Sequence, residues 1–295
     1  MAPTPFPLER LAPTLFVLLW STGWINARFA VTYSDPLTFL VVRHAVTAAA
    51  MIPIALILRA SWPRTPRAIG HALMVGVLLN AAYLGAVWWA IAKGVPSGVS
   101  GLIAAVQPIL TTMLAPLLLG ETVRPRQWAG VALGFFGIAL VLQPKLATID
   151  PGALGAVLVP LGVNVLGMAA VTLGTFYQKR FIPTGHPITT QTLQFAAAFA
   201  VTLPFAWLTE EMNFVWNTTT IAVLAWSVIG ISIGANTLLI VLIRRGAVSR
   251  AAALIYLMPP VVAVQAFLAF GETLTAIQLV GMGVTVAGVA LITRQ

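Results

Sequence analysis

The sequence predicts an all-α polytopic membrane protein with ten transmembrane helices in two inverted five-helix repeats and both termini in the cytoplasm. Three observations indicate this fold class. Of the 295 residues, 59% are hydrophobic and only 8% are charged, against about 25% charged residues in ordinary globular proteins. Long stretches contain no ionised side chain, and the two halves of the chain resemble each other. So few charges could not cover the surface of a soluble fold.

The predicted spans follow from the length that a helix needs to cross a bilayer. A hydrocarbon core about 30 Å thick takes about 20 helical residues, and the stretch 72–92 has no ionised side chain. Turns rich in charge, Pro and Gly separate such stretches, and none is long enough for a soluble domain. The ten predicted spans are 11–32, 36–58, 72–92, 95–119, 127–143, 153–177, 187–208, 220–243, 247–270 and 274–293.

The basic residues orient these spans. With a cytoplasmic N-terminus, twelve of the 16 Lys and Arg residues lie on the cytoplasmic side, and only Arg28, Lys93 and Lys145 lie outside. This asymmetry is the positive-inside pattern. The net charge of +9 is therefore spread over short loops rather than gathered in a patch, and we predict no nucleic-acid partner. Because the chain contains no cysteine, thiolate metal sites are excluded. We predict no metal and no cofactor.

The chain aligns with itself at an offset of 151–152 residues. The matched pairs include Gly94 and Gly246, Pro108 and Pro260, Glu121 and Glu272, Gln127 and Gln278, Gly130 and Gly281, and Gly137 and Gly288. We predict two domains, 1–146 with spans 1–5 and 147–295 with spans 6–10. Five spans are an odd number, so the second half enters the membrane upside down. Inverted repeats are typical of transporters, whose substrate site lies near the midplane where the halves meet.

The repeated motif also carries a family resemblance. In each half a Pro is followed after ten or eleven residues by Gly-Glu-Thr, and then by a Gln and two Gly. This resembles the ten-span EamA-type branch of the drug/metabolite transporter superfamily, and Leu19-Trp20-Ser21-Thr22-Gly23 is similar to its first-span pattern. The resemblance implies a multi-pass exporter of the bacterial inner membrane, most like the aromatic amino acid exporters. It implies that spans 1, 3, 4, 6, 8 and 9 line a central cavity, with spans 5 and 10 peripheral.

Polar and aromatic side chains within the spans are the candidates for that cavity. A buried amide or hydroxyl without a partner is costly, so these groups should face the bundle or a wet cavity. Interhelical hydrogen bonding is the alternative role for the polar residues, and lipid contact in the interfacial aromatic belt is the alternative for the tryptophans. Of the adjacent Trp88 and Trp89, at most one should face a cavity, because neighbours on a helix diverge by about 100°. The candidate cavity residues are Trp20, Ser21, Thr22, Asn80, Tyr83, Trp88, Gln107, Asn164, Asn236, Tyr256 and Gln265.

Arg43 is a permanently charged side chain within span 2, and a charge at that depth is a functional hypothesis by default. It could bind the carboxylate of an amino acid. It could also be structural, reaching the outer interface or bonding backbone carbonyls. The corresponding residue of the second half is Gln194.

No Asp or Glu lies inside any predicted span. Proton-coupled exporters of cationic drugs generally need such a carboxylate, so we expect facilitative transport or exchange of net-neutral, zwitterionic solutes. Pro108 and Pro260 interrupt spans 4 and 9 and are candidate hinges for alternating access, or static kinks that shape the cavity. Glu121 and Glu272 are expected to cap the N-termini of spans 5 and 10.

The predicted function is therefore export of amino acids or related small metabolites by alternating access through a central cavity. The alternatives are export of nucleosides, sugars or drugs, and an intramembrane enzyme. Gly98-Val99-Ser100-Gly101 resembles the motif of rhomboid serine proteases, but catalysis would need a histidine base within hydrogen-bond reach of Ser100. We predict that the chain is not an enzyme. The expected partners are a small solute and the lipid bilayer; the oligomeric state stays open, and a monomer is compatible with the sequence.

Overall fold

The computed structural model describes residues 7–119, 123–147, 154–238 and 258–293. Six described helices, α2, α3 and α6–α9, contain stretches long and apolar enough to cross a membrane, and the chain is a multi-pass membrane protein. The count of ten crossings stays a prediction. The helices are α1 (Pro7–Ala30), α2 (Pro36–Ile57), α3 (Pro66–Ala92), α4 (Ser97–Ile103), α5 (Val106–Leu119), α6 (Pro125–Ala147), α7 (Leu154–Phe181), α8 (Pro187–Thr209), α9 (Thr218–Leu238), α10 (Met258–Phe270) and α11 (Ala276–Thr293).

Local sequence determines where several helices begin. α2, α3, α6 and α8 each start with a proline, which lacks the N–H that the first turn leaves unbonded and has a φ already suited to a helix. The side chain of Thr65 accepts a hydrogen bond from the Ala68 N–H at the start of α3. At the start of α11, Gln278 Oε1 accepts from the Thr275 N–H at 3.0 Å, and Thr275 Oγ1 accepts from the Gln278 N–H at 3.3 Å. This reciprocal pair is a capping box.

Two helices contain π-helical segments that the hydropathy pattern does not predict. They are Val77–Ala82 within α3 and Trp226–Ala235 within α9. At the offset of 151 residues the first segment falls inside the second. Such widened turns are rare and occur frequently at functional sites.

Predicted span 4 is divided into α4 and α5, with Ala104 and Ala105 in the turn between them. Pro108 has no N–H to donate to the Ala104 carbonyl, four residues earlier, so a regular helix cannot continue through this point. That carbonyl accepts instead from the Gln107 N–H, at 3.1 Å.

Contacts between the connections pair loops that the predicted topology puts on the same side. On one side Ser34 forms an isolated β-bridge with Phe214, and Asp35 Oδ2 accepts from the Asn213 N–H at 2.9 Å. On the other side Thr189 Oγ1 donates to the Ser61 carbonyl at 2.8 Å.

The repeated glycines bring α6 and α11 into close contact. A Cβ added to Gly281 would lie 2.7 Å from the Gly137 carbonyl oxygen, and one added to Gly288 would lie 2.7 Å from that of Gly130. A side chain of any size would separate these backbones. The apolar core of the bundle contains Trp24, Phe39 and Trp88.

Candidate functional site

Arg43 is buried, with only 4% of its surface exposed. Its Nη2 donates to Ser232 Oγ at 3.1 Å, and its Nε lies 3.4 Å from the same oxygen. The guanidinium carbon lies 5.9 Å from the centre of the Trp88 ring, which stacks on Phe39. Arg43 therefore turns into the bundle and joins α2 to α3 and α9 rather than reaching the outer interface.

Several other candidates lie beside this group. Tyr83 is buried and lies on α3, five residues before Trp88. The half-buried Asn80 lies within the first π segment, three residues before Tyr83. Asn236 follows the second π segment and donates from Nδ2 to the Ser232 carbonyl at 3.0 Å. The adjacent Trp88 and Trp89 differ as expected: Trp88 is buried, and Trp89 is half-buried with Lys93 Nζ 5.8 Å from its ring centre.

Asn164 and Ser100 form a second polar contact, between α7 and α4. Both side chains are fully buried, and Asn164 Nδ2 donates to Ser100 Oγ at 2.7 Å. Asn164 Oδ1 has no hydrogen-bond partner among the described residues. Ser100, the serine of the protease-like motif, thus bonds an amide rather than a histidine.

The candidates on α1 have different environments. Ser21 is fully buried, and its hydroxyl has no described partner. Thr22 donates to the Leu19 carbonyl at 2.6 Å and accepts from Trp226 Nε1 at 2.9 Å. Trp20 packs on Phe16 with ring centres 5.4 Å apart. From α10, Gln265 Nε2 donates to the Leu18 carbonyl at 3.3 Å, while its Oε1 is buried without a described partner.

The remaining candidates are helix breakers and their neighbours. Gln107 is half-buried beside the turn between α4 and α5. Pro108 is the third residue of α5, and Pro260 is the third residue of α10 as described. Tyr256 lies outside the described residues.

One buried polar contact on α1 escaped the sequence reasoning: Asn26 Nδ2 donates to Ser227 Oγ in the second π segment. Trp24 Nε1, also on α1, is buried without a described partner. Asn26 is an amide inside predicted span 1, and its position alone could have marked it as a candidate.

The expectation that Glu272 caps span 10 is wrong. Its carboxylate accepts from the Ser97 hydroxyl at 3.0 Å and from the Gly98 N–H at 2.9 Å, so it caps α4 from the other half of the chain. Thr275 and Gln278 occupy the start of α11 instead. Glu210 caps α2 in the same way, accepting from the Leu37 and Thr38 N–H groups at 2.9 and 2.7 Å. Glu121 lies outside the described residues.

A multi-pass helical bundle with half-satisfied polar groups in its interior has the features of a membrane transporter. Two stretches of the chain, 11–143 and 158–294, match the EamA-like transporter family. The chain belongs to this family.

Individual relatives agree with this assignment. The uncharacterized inner membrane transporter YedA of Escherichia coli (strain K12) is 26% identical over 279 residues, or 94% of this chain and 87% of its own. A probable terminal-alkyne amino-acid exporter of Streptantibioticus cattleyicolor is 28% identical over 220 residues, or 68% of this chain and 65% of its own. A protein crystal structure with 18% identity aligns over 96% of both chains with a TM-score of 0.69, which shows a shared fold.

Proposed function

We propose that this protein exports amino acids or related small metabolites across a bacterial inner membrane. The observation that carries the proposal is a set of buried polar contacts between helices of the two halves: Arg43 Nη2 donates to Ser232 Oγ, and Asn164 Nδ2 donates to Ser100 Oγ. Relatives named as an inner membrane transporter and as a probable amino-acid exporter support the location and the solute class.

The transport path runs between the two halves, 1–146 and 147–295. Two separate matches to one family, and π segments at corresponding positions of α3 and α9, support a duplicated architecture. The candidate residues on α1, α3, α5, α7, α9 and α10 line the path, and the groups without described partners (Ser21 Oγ, Asn164 Oδ1 and Gln265 Oε1) are available to a polar solute.

Alternating access operates by movement at the interrupted helices. Pro108 keeps α4 and α5 as separate segments, and Pro260 occupies the matching position of the second half. Helices broken at a proline can change their relative direction without breaking further backbone hydrogen bonds.

Transport proceeds by facilitation or exchange. The described acidic residues, Glu9, Asp35, Glu210, Glu211 and Glu272, lie in loops or at helix ends. None of them occupies the middle of a described helix, where it could exchange a proton for a solute. The protein acts as a transporter in the lipid bilayer and not as an enzyme, and Ser100 is bonded to Asn164 instead of a base.

Counterflow in liposomes tests this proposal. Purified protein is reconstituted with an unlabelled solute inside, the labelled solute is added outside, and the pH is kept equal on both sides. We expect labelled amino acids to accumulate without any proton gradient. If the two prolines act as hinges, the Pro108→Ala and Pro260→Ala double variant should accumulate no labelled amino acid.

Protein-free liposomes measure the leak. Counterflow of nucleosides, sugars or drugs but not of amino acids would reject the proposed solute class. Amino acid accumulation only under an imposed pH gradient would reject the facilitative mechanism.

A further inference from the structure

The strongest unexplained feature of the molecule is the charge of Arg43. A guanidinium that is 4% exposed inside a membrane bundle is expensive unless an anion or several acceptors stabilise it. The corresponding residue in the other half is the neutral Gln194, so the fold does not require a charge at this position.

Nothing described around Arg43 neutralises it. Its described hydrogen bonds go to one neutral hydroxyl, that of Ser232, and the aromatic ring beside its guanidinium, Trp88, is uncharged. The described carboxylates are engaged elsewhere: Glu210 caps α2, Glu272 caps α4, Asp35 bonds Asn213 and Glu211 is exposed beside Asn213. Within the described residues, none of them pairs with Arg43.

The contact with Ser232 uses one particular edge of the guanidinium, the edge formed by Nε and Nη2. This edge can donate to both oxygens of a carboxylate in a bidentate pair. A single hydroxyl oxygen, Ser232 Oγ, now lies against both nitrogens, at 3.4 and 3.1 Å. Ser232 belongs to the π segment of α9, so the contact with Arg43 involves one of the two irregular helical segments.

We propose that Arg43, with Ser232 and the nearby Trp88, is the site that recognises the carboxylate of the transported solute. This inference rests on the proposed transport function and narrows its solutes to compounds with a free carboxylate, such as amino acids. The Trp88 ring places aromatic surface beside the guanidinium, which suits an apolar or aromatic side chain next to the carboxylate.

Ligand-dependent melting of the purified full-length protein in detergent tests the inference without requiring transport. The probes are L-phenylalanine, L-leucine and their carboxamides, which keep the amine and the side chain but lose the carboxylate. A ligand that binds the folded state raises the melting temperature, and at a fixed ligand concentration the rise increases with the logarithm of its affinity. We expect the wild-type protein to bind an acid about tenfold or more tightly than its amide, because a charge-assisted bidentate pair is lost.

Arg43→Gln introduces the residue type found at the corresponding position of the second half. This variant should bind the acid and its amide with about equal affinity. Arg43→Lys keeps the charge but not the fork and should retain part of the preference, which keeps the test valid if the glutamine variant does not fold. Arg28→Gln removes the same charge from an exposed position at the end of α1 and should leave the preference unchanged.

The inference would be overturned if the wild-type protein bound acid and amide equally, or bound neither acid. It would also be overturned if a folded Arg43→Gln variant kept the full preference for the acid. The counterflow assay separates the two proposals. A protein with the acid preference but no counterflow of any solute has the carboxylate site without the proposed transport. A protein that transports amino acids but does not distinguish acid from amide lacks this site.

Discussion

At the scale of single residues, hydrogen-bond satisfaction separates two kinds of buried polar side chain. Thr22 both donates and accepts, so its hydroxyl has a structural role between α1 and α9. Asn164 uses only its amide nitrogen, and its Oδ1 is buried without a described partner. An unsatisfied buried polar atom costs about 1–3 kcal/mol, so a structural role alone does not account for Asn164.

The variant Asn164→Leu tests this difference. Leucine keeps the branching of asparagine at Cγ and removes both the unsatisfied oxygen and the bond to Ser100. Because the relief of one and the loss of the other oppose each other, we expect a melting temperature in detergent close to that of the wild type. Counterflow per folded protein should fall about tenfold, the effect of losing about 1.4 kcal/mol of hydrogen bonding to the solute. Thr172→Val is the control, because Thr172 is equally buried on α7 and bonds only within its helix. A lower melting temperature with normal counterflow would show that Asn164 is structural.

At the scale of secondary-structure elements, the sequence predicts the position of a helix better than its interior. Predicted span 2 (36–58) and the observed α2 (Pro36–Ile57) differ by one residue, because hydropathy and an initial proline both report on the boundary. The π segments of α3 and α9 were not predicted. In a π turn the backbone hydrogen bond joins residues five apart instead of four. Which of the two forms depends on packing against neighbouring helices, and hydropathy contains no information about that packing.

The contact between α6 and α11 depends on glycine, and Gly281→Ala should disrupt it. A Cβ at this position would lie 2.7 Å from the Gly137 carbonyl oxygen and 2.9 Å from the Val141 nitrogen, both backbone atoms. Separating the helices should cost about 1–3 kcal/mol, as overpacking does elsewhere, and lower the thermal unfolding temperature followed by circular dichroism in detergent.

Gly283→Ala is the matched control two residues further along α11, where an added Cβ would meet nothing within 4 Å. We expect its unfolding temperature to be unchanged or slightly raised, because alanine favours a helix over glycine by about 1 kcal/mol. Equal behaviour of the two variants would mean that the close contact contributes nothing to stability.

At the scale of the whole molecule, composition and internal repetition were sufficient to predict a multi-pass transporter, and the resemblance of the repeated motif to a known family identified the family, because all of these depend on residue type and spacing alone. The contacts between distant elements were not predictable in the same way. Arg43 and Ser232 are 189 residues apart, and Ser97 and Glu272 are 175 residues apart. Which buried group meets which depends on how helices of the two halves pack, so the sequence identified Arg43 as important but not its partner.

The orientation of the molecule in the membrane gives the last prediction, and the absence of native cysteine makes it measurable. Thr184 follows α7 and Thr218 begins α9; both are exposed, and the predicted topology puts them on opposite sides. A membrane-impermeant maleimide applied to intact cells should label Thr218→Cys and not Thr184→Cys, and inside-out vesicles should reverse the pattern. The cysteine-free wild-type protein gives the background signal. If only Thr184→Cys were labelled in intact cells, the orientation would be the reverse of the predicted one. If both variants were labelled from one side, the connection 182–186 and the start of α9 would lie on the same side of the membrane.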